Sequence, residues 1–183
     1  MKVILMHGKD TDPSQKWYPW FKGEVEKRDV PCIVPILPDA QDPKIEEWVS
    51  TLSQTHPDQE TVLIGHSRGG VAILRWLEKQ PPSVKVRKVI LVATNSGFVK
   101  NRAIPTETNN GFYSVAGYDF EKIKMHCDDF VVFHSKDDQW VPFVQGDENA
   151  TGLGARLISF DDKGHFGKGI DTILELLTEL EIK

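Results

Sequence analysis

Six short runs of apolar, largely β-branched residues punctuate the chain, at positions 3–6, 32–37, 62–64, 89–92, 130–133 and 155–160. Most are near-continuous rather than alternating. A strand with one solvated face alternates apolar and polar residues, whereas a strand covered on both faces does not. The runs therefore predict parallel strands inside a layered domain. Between them the apolar spacing lengthens to that of a helix. Trp17, Phe21 and Val25 fall at i, i+4 and i+8; Ile45, Trp48 and Val49 follow the second run; Ile170, Ile173, Leu174, Leu177 and Leu180 share one face near the end. Strand alternating with helix predicts an α/β fold, with residues 1–183 forming one domain and right-handed crossovers joining a mostly parallel sheet of about six strands. Neither an internal repeat nor a linker interrupts the pattern.

Residues 95–118 break this rhythm. They are polar and Gly-rich, carry Pro105 and an Asn109-Asn110-Gly111 turn signal, and regain helical spacing only at 119–123. A stretch of that length without structure of its own is usually functional or mobile. It follows a strand end, where ligands gather in open α/β sheets, so it is expected to form part of a pocket rim. A plain surface loop is the equal alternative.

Bulk properties narrow the partners. A net charge of −5 argues against nucleic acid or an anionic membrane as the main one. Two cysteines, Cys32 and Cys127, make no disulfide framework and suit a reducing cytoplasm. The N-terminal apolar stretch turns polar too soon for a signal peptide, and no run reaches membrane-spanning length. A soluble, cytoplasmic protein acting on a small molecule is expected, with its oligomeric state left open.

The candidate chemistry starts at Gly65-His66-Ser67-Arg68-Gly69, directly after the third apolar run and directly before the helical pattern 71–77. Strand, G-x-S-x-G, helix is the context of a nucleophile elbow, in which a sharp, strained turn lifts a serine hydroxyl to the top of a sheet. Side chains at 65 and 69 would collide where strand and helix cross, so both positions must be small. A serine hydroxyl needs a base, and the base an orienting acid, in the chain order Ser, acid, His. His165 lies in a Gly-flanked loop after the last strand, ahead of the final helix; His134 closes the preceding strand and reads as wall or core. The acid belongs after the fifth strand, where Asp137 and Asp138 compete. Asp138 stands ahead of Val141-Pro142, where the chain enters a helix, while Asp137 suits a turn residue bonding its own backbone. An oxyanion hole requires two backbone N–H groups, expected from Arg68 and, in the loop His7-Gly8-Lys9-Asp10, from Lys9. His7 reads as a loop-shaping residue. Trp17, Trp20, Trp140, Phe143 and Phe166 flank these loops as candidate pocket walls. The Arg68 side chain is either a substrate-carboxylate contact or an ion pair at the helix start.

Three blocks carry a resemblance: residues 64–70 around the pentapeptide, 121–138 through Cys127 to Asp137-Asp138, and Lys163-Gly164-His165-Phe166. Together they resemble the small serine hydrolases related to retinoblastoma-binding protein nine. The resemblance implies a compact, cap-less α/β-hydrolase core, a Ser67, Asp138, His165 triad, activity on small esters or amides, and no metal or organic cofactor. The L-x-C-x-E segment of the retinoblastoma-binding member has no counterpart in His56-Pro57-Asp58-Gln59-Glu60, so that partner is not implied. Two other readings compete. One is an idle hydrolase-like binding module. The other is a metal site built from His7, His66, His134 and Asp137, although no H-x-H or H-E-x-x-H spacing supports it.

Overall fold

The structure, a computed structural model, describes residues 1–102 and 108–182. Six parallel strands form one sheet in the order β2-β1-β3-β4-β5-β6: β1 Lys2–Met6, β2 Cys32–Ile33, β3 Thr61–His66, β4 Lys88–Val92, β5 Phe130–Ser135 and β6 Arg156–Phe160. Helices α1 Tyr18–Glu26, α2 Ile45–Gln54, α3 Arg68–Leu77, α4 Phe120–Lys124, α5 Phe143–Leu153 and α6 Leu174–Leu180 follow strands β1 to β6 in turn, with α4 and a single 3₁₀ turn in the β4–β5 connection.

The unbroken apolar runs are explained by two separate cores. Ile4, Met6, Leu63, Val89, Leu91 and Val132 face helices α2 to α5, whereas Val3, Leu5, Val62, Ile64, Ile90 and Phe133 face α1 and α6. Successive side chains of a strand point to opposite faces, so a strand sandwiched between helix layers needs apolar residues at every position. Each fully buried aliphatic side chain contributes about 1.5–3 kcal/mol. Trp17, Phe21 and Val25 are all buried, as are Ile45, Trp48 and Val49.

Two expected elements are shorter than their apolar runs. The run 32–37 forms strand only at Cys32–Ile33. Pro35 has no N–H to give a ladder, and the Leu37 N–H leaves the sheet edge to donate to His7 Nε2 at 3.2 Å. The last helix begins at Leu174 rather than Ile170. With that start Ile173, Leu176 and Leu180 are buried and Leu174 is exposed, so the apolar stripe differs from the one the spacing suggested. Both cysteines are buried, which pushes their thiols up to about 12 for Cys32 and about 11 for Cys127.

Residues 103–107, including Pro105, lie outside the described part of the 95–118 segment. Several of its remaining residues are tied down by a buried cation. Arg75 on α3 donates to the carbonyls of Phe112, Gly117 and Gly97, pairs with Glu78 at 2.8 Å, and stacks 4.6 Å from the Tyr118 ring centroid. A buried guanidinium is tolerable because nearly every donor is satisfied. No helix among the described residues is long and apolar enough to cross a membrane.

Candidate active site

The chain leaves β1 for β2 on one side and reaches β3 on the other, so the loops after β1 and β3 diverge and open a crevice at the strand ends. Ser67 sits at that point. It is the residue between β3 and α3, with φ 53° and ψ −122°, a conformation that costs about 1–3 kcal/mol in a non-glycine residue. Its N–H donates to Val92 O in β4 at 2.8 Å, which locks the turn. The glycine requirement is steric. A Cβ on Gly65 would lie 2.3 Å from Gly70 Cα, and one on Gly69 would lie 2.1 Å from Met6 O in β1. Gly69 is therefore needed for the approach of α3 to β1, not to the strand it follows.

Loops after β5 and β6 bring two more groups to Ser67. His165 Nε2 lies 2.9 Å from Ser67 Oγ, and His165 Nδ1–H donates to Asp138 Oδ2 at 2.8 Å. Asp138 is buried, and its Oδ1 accepts the backbone N–H groups of Trp140 and Val141, both at 2.9 Å. Three residues distant in sequence thus form one hydrogen-bonded line. Asp137 bonds its own backbone, as expected of a turn residue, and does more besides. Its Oδ1 accepts the Ser135 hydroxyl at 2.5 Å and the Gly164 N–H at 2.8 Å, so it clamps the His165 loop to β5. The Ser135 hydroxyl, then the Gly164 N–H, hold its carboxyl below the usual aspartate range.

A second hydrogen-bonded line passes beneath the first, and nothing in the residue spacing announced it. The Gly8 N–H donates to Tyr18 OH at 3.2 Å, Tyr18 OH donates to His66 Nδ1 at 2.6 Å, and His66 Nε2–H donates to His165 O at 2.9 Å. Fully buried Tyr18 and His66 thus join the loop after β1 to the backbone of His165. Trp17 reinforces the join, its indole N–H donating to Phe166 O at 3.2 Å. Burial holds His66 well below the usual histidine range and pushes the Tyr18 phenol up to about 12. The signal that existed was weak: a tyrosine beside core-facing Trp17 must find a partner for its hydroxyl.

His7 donates from Nδ1 to Gly8 O at 2.9 Å and accepts Leu37 N–H at Nε2, so both ring nitrogens shape the loop. His134 Nε2–H donates to Val141 O at 2.8 Å and lies 3.6 Å from Asp138 Oδ2. Burial lowers both rings below the ordinary histidine value. No group of three or more metal-ligand side chains converges among the described residues.

Ser67 and His165 open onto a cavity of about 360 Å³. Lys9 and Arg68, the expected oxyanion donors, both line it, and the Gly8 backbone runs close enough that a Cβ there would lie 3.3 Å from Ser67 Cβ. Asn95 and Tyr113 line it too, which puts described parts of the 95–118 segment on its rim. The Arg68 guanidinium stacks over Phe112 and Tyr113, 5.3 and 5.7 Å from their ring centroids. Of the five flanking aromatics only Trp140 reaches the cavity; Trp17 and Phe166 are core.

Comparison with known proteins identifies relatives over most of the chain. The serine hydrolase family matches residues 3–171. YdeN of Bacillus subtilis (strain 168) is 32% identical over 167 residues, 90% of this chain and 85% of that protein. Serine hydrolase RBBP9 of Rattus norvegicus is 31% identical over 154 residues, 82% of this chain and 77% of its own. The crystal structure of the ydeN gene product from B. subtilis superposes with a TM-score of 0.83 at 28% identity, covering 98% of this chain and 96% of that one. Est1E of Butyrivibrio proteoclasticus, solved with ferulic acid, shares the fold with a TM-score of 0.72 at 12% identity, over 98% of this chain and 86% of its own. The fold is that of the α/β hydrolases, and the chain belongs to the serine hydrolase family.

Proposed function

We propose that this member of the serine hydrolase family cleaves small esters or amides by passing their acyl group through Ser67 to water. The observation carrying this reading is the line from Ser67 Oγ to His165 Nε2 at 2.9 Å and from His165 Nδ1 to Asp138 Oδ2 at 2.8 Å, at the mouth of a cavity sized for a small molecule. Ser67 Oγ attacks the substrate carbonyl while His165 Nε2 takes the hydroxyl proton. The carbonyl oxygen becomes an oxyanion, received by the backbone N–H groups of Arg68 and Lys9. When the intermediate collapses, His165 returns the proton to the departing alcohol or amine, leaving Ser67 acylated. Water, deprotonated by the same imidazole, then releases the acid and restores the hydroxyl. Asp138 keeps the Nδ1 proton in place throughout, so that Nε2 faces Ser67 as a base. The strained turn at Ser67 supports this role, because it presents the hydroxyl at the cavity mouth.

The test is hydrolysis of 4-nitrophenyl acetate together with fluorophosphonate labelling. Wild type should turn over the ester and gain one adduct on Ser67, and Ser67→Ala should do neither. A folded wild type that shows no adduct and no turnover would falsify the reading.

A further inference from the structure

The cavity beside Ser67 is electrostatically unlike the chain around it. In a protein of net charge −5, the described residues of its walls include Lys9, Lys16 and Arg68, with Asp10 as the carboxylate among them. Lys9 and Asp10 lie 3.7 Å apart and offset one another, and Arg68 is stacked on two rings. Lys16 differs. It is half-buried, yet its ammonium makes no hydrogen bond and no ion pair with any described residue. Its backbone is left-handed, with φ 56°, in the turn that precedes α1. That conformation directs the side chain towards the loop carrying His165, where a Cβ on Gly167 would lie 3.7 Å from Nζ. Asp10 acts on this ammonium only through space, so the cost of half-burying it is left partly uncompensated, and an anion in direct contact would offset it.

We propose that Lys16 is an anion anchor, and that the preferred substrate is a small ester or amide carrying a free carboxylate. The proposal rests on Ser67 being the nucleophile, since it is the position of Lys16 on the wall of that same cavity that makes it a specificity determinant. Burial lowers the Lys16 ammonium from its ordinary value, as expected of a cation awaiting a counter-charge. A carboxylate reaching Lys16 gains a hydrogen-bonded ion pair that a neutral analogue cannot make.

Two matched pairs test this: 4-nitrophenyl hydrogen adipate against 4-nitrophenyl hexanoate, with the charge on the acyl side, and 4-acetoxybenzoate against 4-acetoxybenzamide, with the charge on the leaving group. In at least one pair kcat/KM should favour the carboxylate by about tenfold, the worth of one charged hydrogen bond in a partly buried site. Lys16→Met keeps the side-chain length and the backbone demand, and should bring that ratio near one. Lys16→Glu should invert it, and added salt should erode it in the wild type. The proposal is overturned if wild type favours the neutral member of both pairs, or if Lys16→Met leaves the ratio unchanged. Failure of the hydrolytic reading looks different: no substrate would turn over, or Ser67→Ala would turn them over equally well.

Discussion

Replacing Asp138 by asparagine separates a placed proton from a placed side chain. The carboxylate accepts three N–H groups: Trp140 and Val141 on Oδ1, and His165 on Oδ2. An amide of the same shape has only one oxygen. If that oxygen stays with the two backbone donors, the NH2 group faces His165 Nδ1, and the imidazole must carry its proton on Nε2 instead. Nε2 then points a proton at Ser67 Oγ and cannot take one. If the amide flips, His165 keeps the correct tautomer, but the NH2 group confronts two N–H donors, that of Val141 buried and that of Trp140 part-buried. Each loses its acceptor at a cost of about 1–3 kcal/mol, so the flip costs about 2–6 kcal/mol. At 1.4 kcal/mol per tenfold, the competent orientation falls to between about one part in thirty and about one part in twenty thousand. The upper end matches the loss of about 10⁴ seen for this change in a Ser-His-Asp protease. The assay is kcat for 4-nitrophenyl acetate, with the rate of fluorophosphonate capture as a second readout and a cooperative thermal melt to establish folding. KM should move little, because Asp138 touches no substrate. A folded Asp138→Asn protein that keeps more than a fifth of wild-type kcat would refute the reasoning.

Two further outcomes follow from the same geometry. Ser67→Gly and Ser67→Ala both lack the hydroxyl, yet only glycine is at ease at φ 53°, so the glycine variant should be the more stable by about 1 kcal/mol, or roughly 2–4 °C in Tm; an alanine variant that melts at or above the glycine one would contradict the strain. His7, His66 and His134 are all held neutral by burial, with folded pKa values below the ordinary 6.5. Between the folded and unfolded values the unfolded chain binds more protons, so stability rises with pH there and is fully present above about pH 6.5. Melting temperature should fall as the pH is lowered from about 6.5 towards 5, and a flat or rising profile over that window would show the rings to be charged in the folded state.

The 121–138 block shows what spacing can and cannot resolve. It placed an acid after β5, but two adjacent aspartates satisfied the same local pattern. Their roles depend on which way each side chain leaves the turn. Asp138 turns inward to His165 and to the N–H groups ahead of α5, and Asp137 turns outward to Ser135 and Gly164. Tyr18 and Lys16 escaped notice for a related reason: each sits among residues whose local pattern is fully explained by a helix or a turn, while His66 was weighed only as a metal ligand.

The order of hydrophobic runs determined the sheet, because a strand covered on both faces must be apolar at every position and a chain that alternates such strands with helices has few ways to fold. The glycines at 65 and 69 determined where the chain could turn hard enough to expose a hydroxyl. Tertiary structure alone decided the rest. Crossing strands 2 to 6 in parallel lays the loops after β1, β3, β5 and β6 side by side, and only there do the Ser67 line, the buried Tyr18–His66 line and the unpaired Lys16 ammonium meet. Contacts between residues about a hundred positions apart depend on three-dimensional packing, and no local pattern of residues records them.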